Sequence, residues 1–174
     1  MPMRRKDKEI TSEDEILRII QNARICHVAF HDEKYPYIVP LCYGFDHQGN
    51  KKSLYFHVAK SGKKLDLIMK NPHVAFEIER DVSIYRGKSV CDYSMVFESV
   101  CGTGTMRIID DENEKIYALQ CVTKHNSFYD KNEKHTSAVD TELYNAYFDV
   151  EHVQGIVLLE LIIESWTGKN SKPH

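Results

Sequence analysis

No run of apolar residues follows the basic N-terminal stretch MPMRRKDKEI, so neither a secretory leader nor a membrane anchor is read there. The expectation is a cytoplasmic protein that uses no membrane. Surplus positive charge is also missing: 23 Lys and Arg stand against 26 Asp and Glu, giving a formal charge of −3. That excludes a general nucleic-acid binder, because neutralising several phosphates takes a basic surface. Any phosphate bound here is expected to be single and local. The five cysteines (Cys26, Cys42, Cys91, Cys101, Cys121) form an odd set with no C-x-x-C pair, which fits neither a disulfide framework nor a zinc ribbon. Buried free thiols are the expectation. Nine histidines include no H-E-x-x-H motif, and no metal site is expected.

What remains is ordinary globular composition, with 42% apolar and 28% charged residues in 174, far from the profile of a disordered chain. A chain of this size buries roughly 70% of its unfolded surface and supports one core without staples. One domain over 1–174 is expected, and no internal repeat is present. Ser12 followed by Glu15 is a helix start, and Ile16, Leu17, Ile19 and Ile20 continue it to about Asn22. Residues 24–30 and 36–45 are β-branched, aromatic or small around a polar break, which predicts a hairpin. A turn containing Gly49-Asn50 precedes a strand at 54–57. A helix is expected over 61–71, stopped by Asn71-Pro72 before a strand at 73–79.

A polar segment over 80–93 then leads to a long strand at 95–109, where Gly102 and Gly104 suggest bulges or close backbone approach. A helix over 110–126 carries acidic residues in its first turn, 127–147 has no clear pattern, and 155–166 is an apolar last strand. Strands joined by short turns, with helices inserted later, make an α+β fold: a mostly antiparallel, closed or partly closed barrel with peripheral helices.

The stretch LYFHVAKSGKKLDLIMKNP, 54–72, runs from strand through a glycine-containing turn into a helix. Helix starts present free N–H groups and the positive end of the dipole, so Ser61 with Lys60, Lys63 and Lys64 could cradle one phosphate. The same residues also suit a solvated lysine face with an ordinary cap.

Several segments in order, MRRKDKEI, PYIVPLCYGF, LYFHVAKSGKKLDLI, CDYSMVFESVCGTGT and the closing TGK, resemble the pyridoxamine 5′-phosphate oxidase-like FMN-binding split barrels. The nearest branch is the Nim type, associated with 5-nitroimidazole resistance. The resemblance implies a split β-barrel working as a homodimer, with Val39, Pro40 and Leu41 at the flavin ring. It places Tyr55, Phe56 and His57 beside the ring or ribityl chain, and Ser61, Lys63 and Lys64 at the phosphate. It also brings Glu98, Ser99 and Val100 to the cofactor, often from the second subunit.

The implied function is an FMN-dependent oxidoreductase that takes electrons from NADH or NADPH. The acceptor would be a small planar molecule such as a nitroaromatic. The alternative is a non-catalytic flavin or haem carrier or sensor on the same fold. His57 is the candidate catalytic group, because an imidazole near a flavin can move a proton at neutral pH; its plain alternative is a hydrogen-bonded wall residue. For Trp166, packing at an interface is weighed above stacking on the flavin. The ending WTGKNSKPH lacks the Arg- and His-bearing segment typical of pyridoxamine 5′-phosphate oxidase itself, which argues against that activity.

Overall fold

A computed structural model describes residues 3–127 and 150–171; most of the stretch without a sequence pattern, 128–147, lies outside these described residues. The elements in chain order are β1 (Glu9–Ile10), α1 (Glu13–Asn22), β2 (Ile25–Phe30), β3 (Tyr37–Cys42), β4 (Gly44–Gln48), β5 (Lys51–Val58) and α2 (Lys63–Lys70). They continue with β6 (His73–Tyr85), β7 (Ser94–Ile108), α3 (Glu112–Ser127), a single helical turn Val150–Val153, and β8 (Val157–Asn170). The strands form one sheet in the order β3-β2-β6-β7-β8-β5-β4, with β1 added to β8, and every pair is antiparallel. The fold is the expected α+β split barrel.

Alternation along the strands builds the interior. Val28 and Phe30 of β2, Leu54 and Phe56 of β5, Phe76 and Ile78 of β6, and Leu159 and Leu161 of β8 all enter one core. One end is covered by α1 through Ile16, Ile19 and Ile20, and α2 adds Leu65, Leu67 and Ile68. Each such aliphatic side chain contributes roughly 1.5–3 kcal/mol on full burial. The Ser12 hydroxyl accepts the Glu15 N–H at 3.4 Å, so α1 starts where its cap predicts. A second cluster, Tyr55, Ile109, Ala118 and Leu158, holds α3 against the outer face.

Several elements differ from the sequence pattern. The strand expected over 36–45 breaks at Tyr43, which is fully buried and donates its hydroxyl to the Ile20 carbonyl at 2.5 Å. His125 packs on the Tyr43 ring at 4.5 Å between centroids, and its Nε2 lies 2.8 Å from the Ala23 carbonyl oxygen. Gly44 follows directly, and a Cβ there would strike the α3 backbone at Cys121 and Val122. Instead of ending at 79, β6 runs to Tyr85 past an irregularity between Arg80 and Ser83, where Asp81 has φ +55°. The last strand reaches Asn170. The register of β7 against β8 slips between Thr103 and Gly104, which is the bulge expected near those glycines.

Candidate functional site

The corner between β5 and α2 gathers the features the sequence singled out. Gly62 stands at the helix N-cap with φ +142°, a conformation that L side chains rarely adopt, and no side chain caps the first turn. The Leu65 N–H bonds back to the Gly62 carbonyl at 2.9 Å, and the Lys63 and Lys64 N–H groups keep their capacity for an acceptor. Ser61 is exposed beside them, and among the described residues Lys64 makes no ion pair.

Lys63 is differently placed. Its Nζ lies 2.6 Å from Asp32 Oδ2 and 5.2 Å from the centre of the Tyr37 ring, so it ties the start of α2 to the start of β3. The Asp32 carboxylate raises the Lys63 pKa above its ordinary value.

β3 is an end strand of the sheet, paired only with β2. Its outer edge is hydrogen-bonded to no other strand among the described residues. Val39 and Leu41 turn toward the core and are half-buried, whereas Pro40 is exposed and lies opposite His27. The corner at the start of α2 and this free edge are thus joined through Lys63.

Tyr55, Phe56 and His57 do not form one surface. Phe56 is fully inside the barrel core. Tyr55 faces the other way, under α3, where its ring meets Tyr117 edge-on at 6.0 Å and its hydroxyl lies 3.3 Å from Glu160 Oε1. Burial, then the Glu160 charge, pushes the Tyr55 hydroxyl pKa up. Only His57 is exposed, on the Tyr55 side of the strand. Glu98, Ser99 and Val100 are all buried, and their strand is paired on both sides, to β6 and β8. Both Glu98 oxygens accept Arg18 Nη2 at 3.0 Å, with Arg80 Nε 3.8 Å away. These three side chains are therefore covered within this chain.

Trp166 packs against the core and carries Lys52 Nζ 4.7 Å above its ring. All five cysteines are free; Cys26 is buried and Cys121 partly so, while Cys42, Cys91 and Cys101 are exposed, so buried thiols hold only in part. Burial, followed by the charge of Asp46, raises the Cys121 pKa to about 11.

Two polar groups escaped the sequence reading. Glu160, fully buried on β8, accepts Ser53 Oγ at 2.8 Å, Lys51 Nζ at 2.6 Å and Arg107 Nε at 2.7 Å. On the opposite part of the wall, His27, Glu77 and Glu79 converge. Their partners are separated by several whole elements, so only strand pairing brings them together, and no local spacing signals either group.

A split barrel with a helix start and a free sheet edge at one corner defines the structural class. The profile of the pyridoxamine 5′-phosphate oxidase family matches residues 12–157, and the chain belongs to that family. No curated protein matches the sequence.

Among solved structures, the chain is similar to a candidate 5-nitroimidazole antibiotic resistance protein from Bacteroides thetaiotaomicron. The TM-score is 0.69 at 24% identity, over 92% of this chain and 85% of that one. An FAD and haem binding protein from Mycobacterium smegmatis gives 0.72 at 18% identity, over 95% and 74%. An FAD-binding protein from Mesorhizobium loti gives 0.59 at 19% identity, over 92% and 96%. No helix among the described residues is long and apolar enough to cross a membrane.

Proposed function

We propose that the protein is an FMN-dependent oxidoreductase, taking electrons from NADH or NADPH and passing them to a small planar acceptor such as a 5-nitroimidazole. The observation that carries this reading is the uncapped start of α2 behind Gly62, set beside the unpaired edge of β3. The corner suits one phosphate: first-turn N–H groups and the Ser61 hydroxyl donate hydrogen bonds, and Lys64 supplies an uncommitted charge. Lys63, held by Asp32, fixes the corner's position. Main-chain groups of Leu41 on the free edge suit the hydrogen-bonding rim of a planar heterocycle, with Pro40 interrupting the ladder there.

Bound flavin supplies the electron chemistry. His57, exposed one strand residue before the corner, holds a proton for delivery to the acceptor. The family membership and the likeness to flavin-binding neighbours support this assignment. A homodimer completes the site in this reading: Ile25 and Ile38 lie exposed on the sheet face next to Pro40, and a second copy would cover them. A second reading, a flavin or haem carrier, is favoured by the likeness to the haem- and FAD-binding mycobacterial protein.

The test is titration of the purified protein with FMN and riboflavin, followed by anaerobic mixing with NADH or NADPH. FMN is expected to bind much more tightly than riboflavin. Lys64→Ala is expected to weaken FMN by about tenfold, the worth of one charge-assisted hydrogen bond, and to leave riboflavin unchanged. Equal FMN affinity in variant and parent overturns the phosphate corner. A Soret band with no flavin uptake selects the haem carrier, and flavin that neither nicotinamide reduces selects the flavin carrier.

A further inference from the structure

We propose that His27, Glu77 and Glu79 form a binding site for one divalent transition-metal ion on the outer face of the sheet. His27 and Glu77 are directly opposed on β2 and β6, so their side chains share that face, and Glu79 follows two residues later on the same side. His27 Nδ1 lies 3.5 Å from Glu77 Oε2. One donor atom from each of the three residues lies within 4.8 Å of the others. In a tetrahedral arrangement two ligands held about 2.1 Å from a common ion stand about 3.4 Å apart, so closure asks for a side-chain movement of up to about 1.5 Å. Glu79 is exposed and has the freedom to supply it.

The electrostatics favour a cation. Among the described residues no Lys or Arg pairs with either carboxylate. An ion between them removes the repulsion that now falls on a half-buried group. Both strands are internal to the sheet, β2 between β3 and β6 and β6 between β2 and β7, so the backbone beneath the ligands is fixed on both sides.

One imidazole nitrogen with two carboxylate oxygens suits Zn²⁺, Mn²⁺, Fe²⁺ or Co²⁺ better than Ca²⁺ or Mg²⁺, which favour oxygen alone. Beside His27 and Glu77 opens a cleft of about 470 Å³, which also touches Cys101 and Trp166. Three protein ligands facing such a space leave coordination positions for water or a small anion.

His27 lies opposite Pro40, on the face that a second copy would cover in the proposed dimer, so the site falls at the margin of that interface; its test uses the whole chain stripped of metal by a chelator. Titration with Co²⁺ is expected to saturate at one ion per chain with the visible bands of a low-coordinate complex, and Zn²⁺ is expected to displace it. His27→Ala and Glu77→Gln are each expected to weaken Co²⁺ by at least about tenfold while leaving the melting temperature nearly unchanged. In the proton spectrum of the Co²⁺ form, one strongly shifted imidazole signal is expected, absent from His27→Ala. Absence of saturable binding, equal affinity in variants and parent, or a shifted imidazole that survives His27→Ala each overturns the proposal.

Discussion

Glu160 and Glu77 occupy the same sheet, two strands apart, and their surroundings are opposite. Burial alone would raise the Glu160 pKa. Hydrogen bonds from Lys51, Ser53 and Arg107 outweigh that penalty and hold it below its ordinary value. Glu77 is less buried, yet burial and then the Glu79 charge raise its pKa, with His27 acting the other way. Burial does not by itself decide the state of a carboxyl group; the number of donors aimed at it does. The wall under α3 has its charges satisfied internally and serves stability. The open wall beside β2 keeps a charge unmatched, and that is where a ligand has something to gain.

The strongest test of this contrast removes a donor from the satisfied wall. Arg107 also bridges to Glu114 at 2.7 Å, so Arg107→Met leaves Glu160 buried with fewer partners and cuts a link to α3. The expected loss is about 3 kcal/mol in urea unfolding, and a loss below about 1 kcal/mol would mean that Lys51 and Ser53 suffice.

A smaller effect is expected from acid, with a sign that can be worked out. His125 is held neutral by burial, its pKa lowered despite the hydrogen bond to Ala23. From about pH 6.5 downward the unfolded chain takes up a proton that the folded chain resists, so stability falls. The lowered Glu160 acts in the same direction at lower pH: its contribution is full above about pH 4.3 and is lost as pH falls through the folded value. Stability is therefore expected to decline in two stages on acidification, measured as melting temperature against pH. His125→Phe is expected to flatten the first stage.

The smallest effect belongs to the open wall. Without metal, Glu77→Gln removes a repulsion and breaks no strong bond, so the change is expected within about 0.5 kcal/mol and on the stabilising side. A loss as large as that of Arg107→Met would erase the distinction between the walls.

The parts of the fold that follow local rules were legible in the sequence. Ser12 caps α1, and the strand at 54–57 and the helix stopped by Asn71-Pro72 form where their local signals put them. What was not legible depended on tertiary partners. Tyr43 reads as one more strand aromatic, and its place in the core rests on its bond to Ile20 and its contact with His125. The outer half of β6 reads as a polar segment because Val82, Ile84 and Tyr85 alternate with polar residues and have no core to face.

The candidate site divides in the same way. The 57–64 corner was visible because a turn, a glycine and lysines are contiguous, though Asp32's hold on Lys63 was not. The resemblance grouped Tyr55 and Phe56 with His57, but strand alternation and the arrival of α3 send them to different environments.

Gly44 carries a consequence for how this sequence can drift. Where it opens β4, the backbone of α3 at Cys121 and Val122 occupies the volume any side chain would need. The obstacle is main chain and cannot rotate aside, so even a methyl group must push the helix off the sheet. Gly49, by contrast, has φ +58° with open space around it, a setting in which asparagine or aspartate can also live. Two glycines in one stretch thus have unlike futures under mutation. Position 49 is free to wander among turn formers, whereas position 44 is locked for as long as α3 keeps its seat.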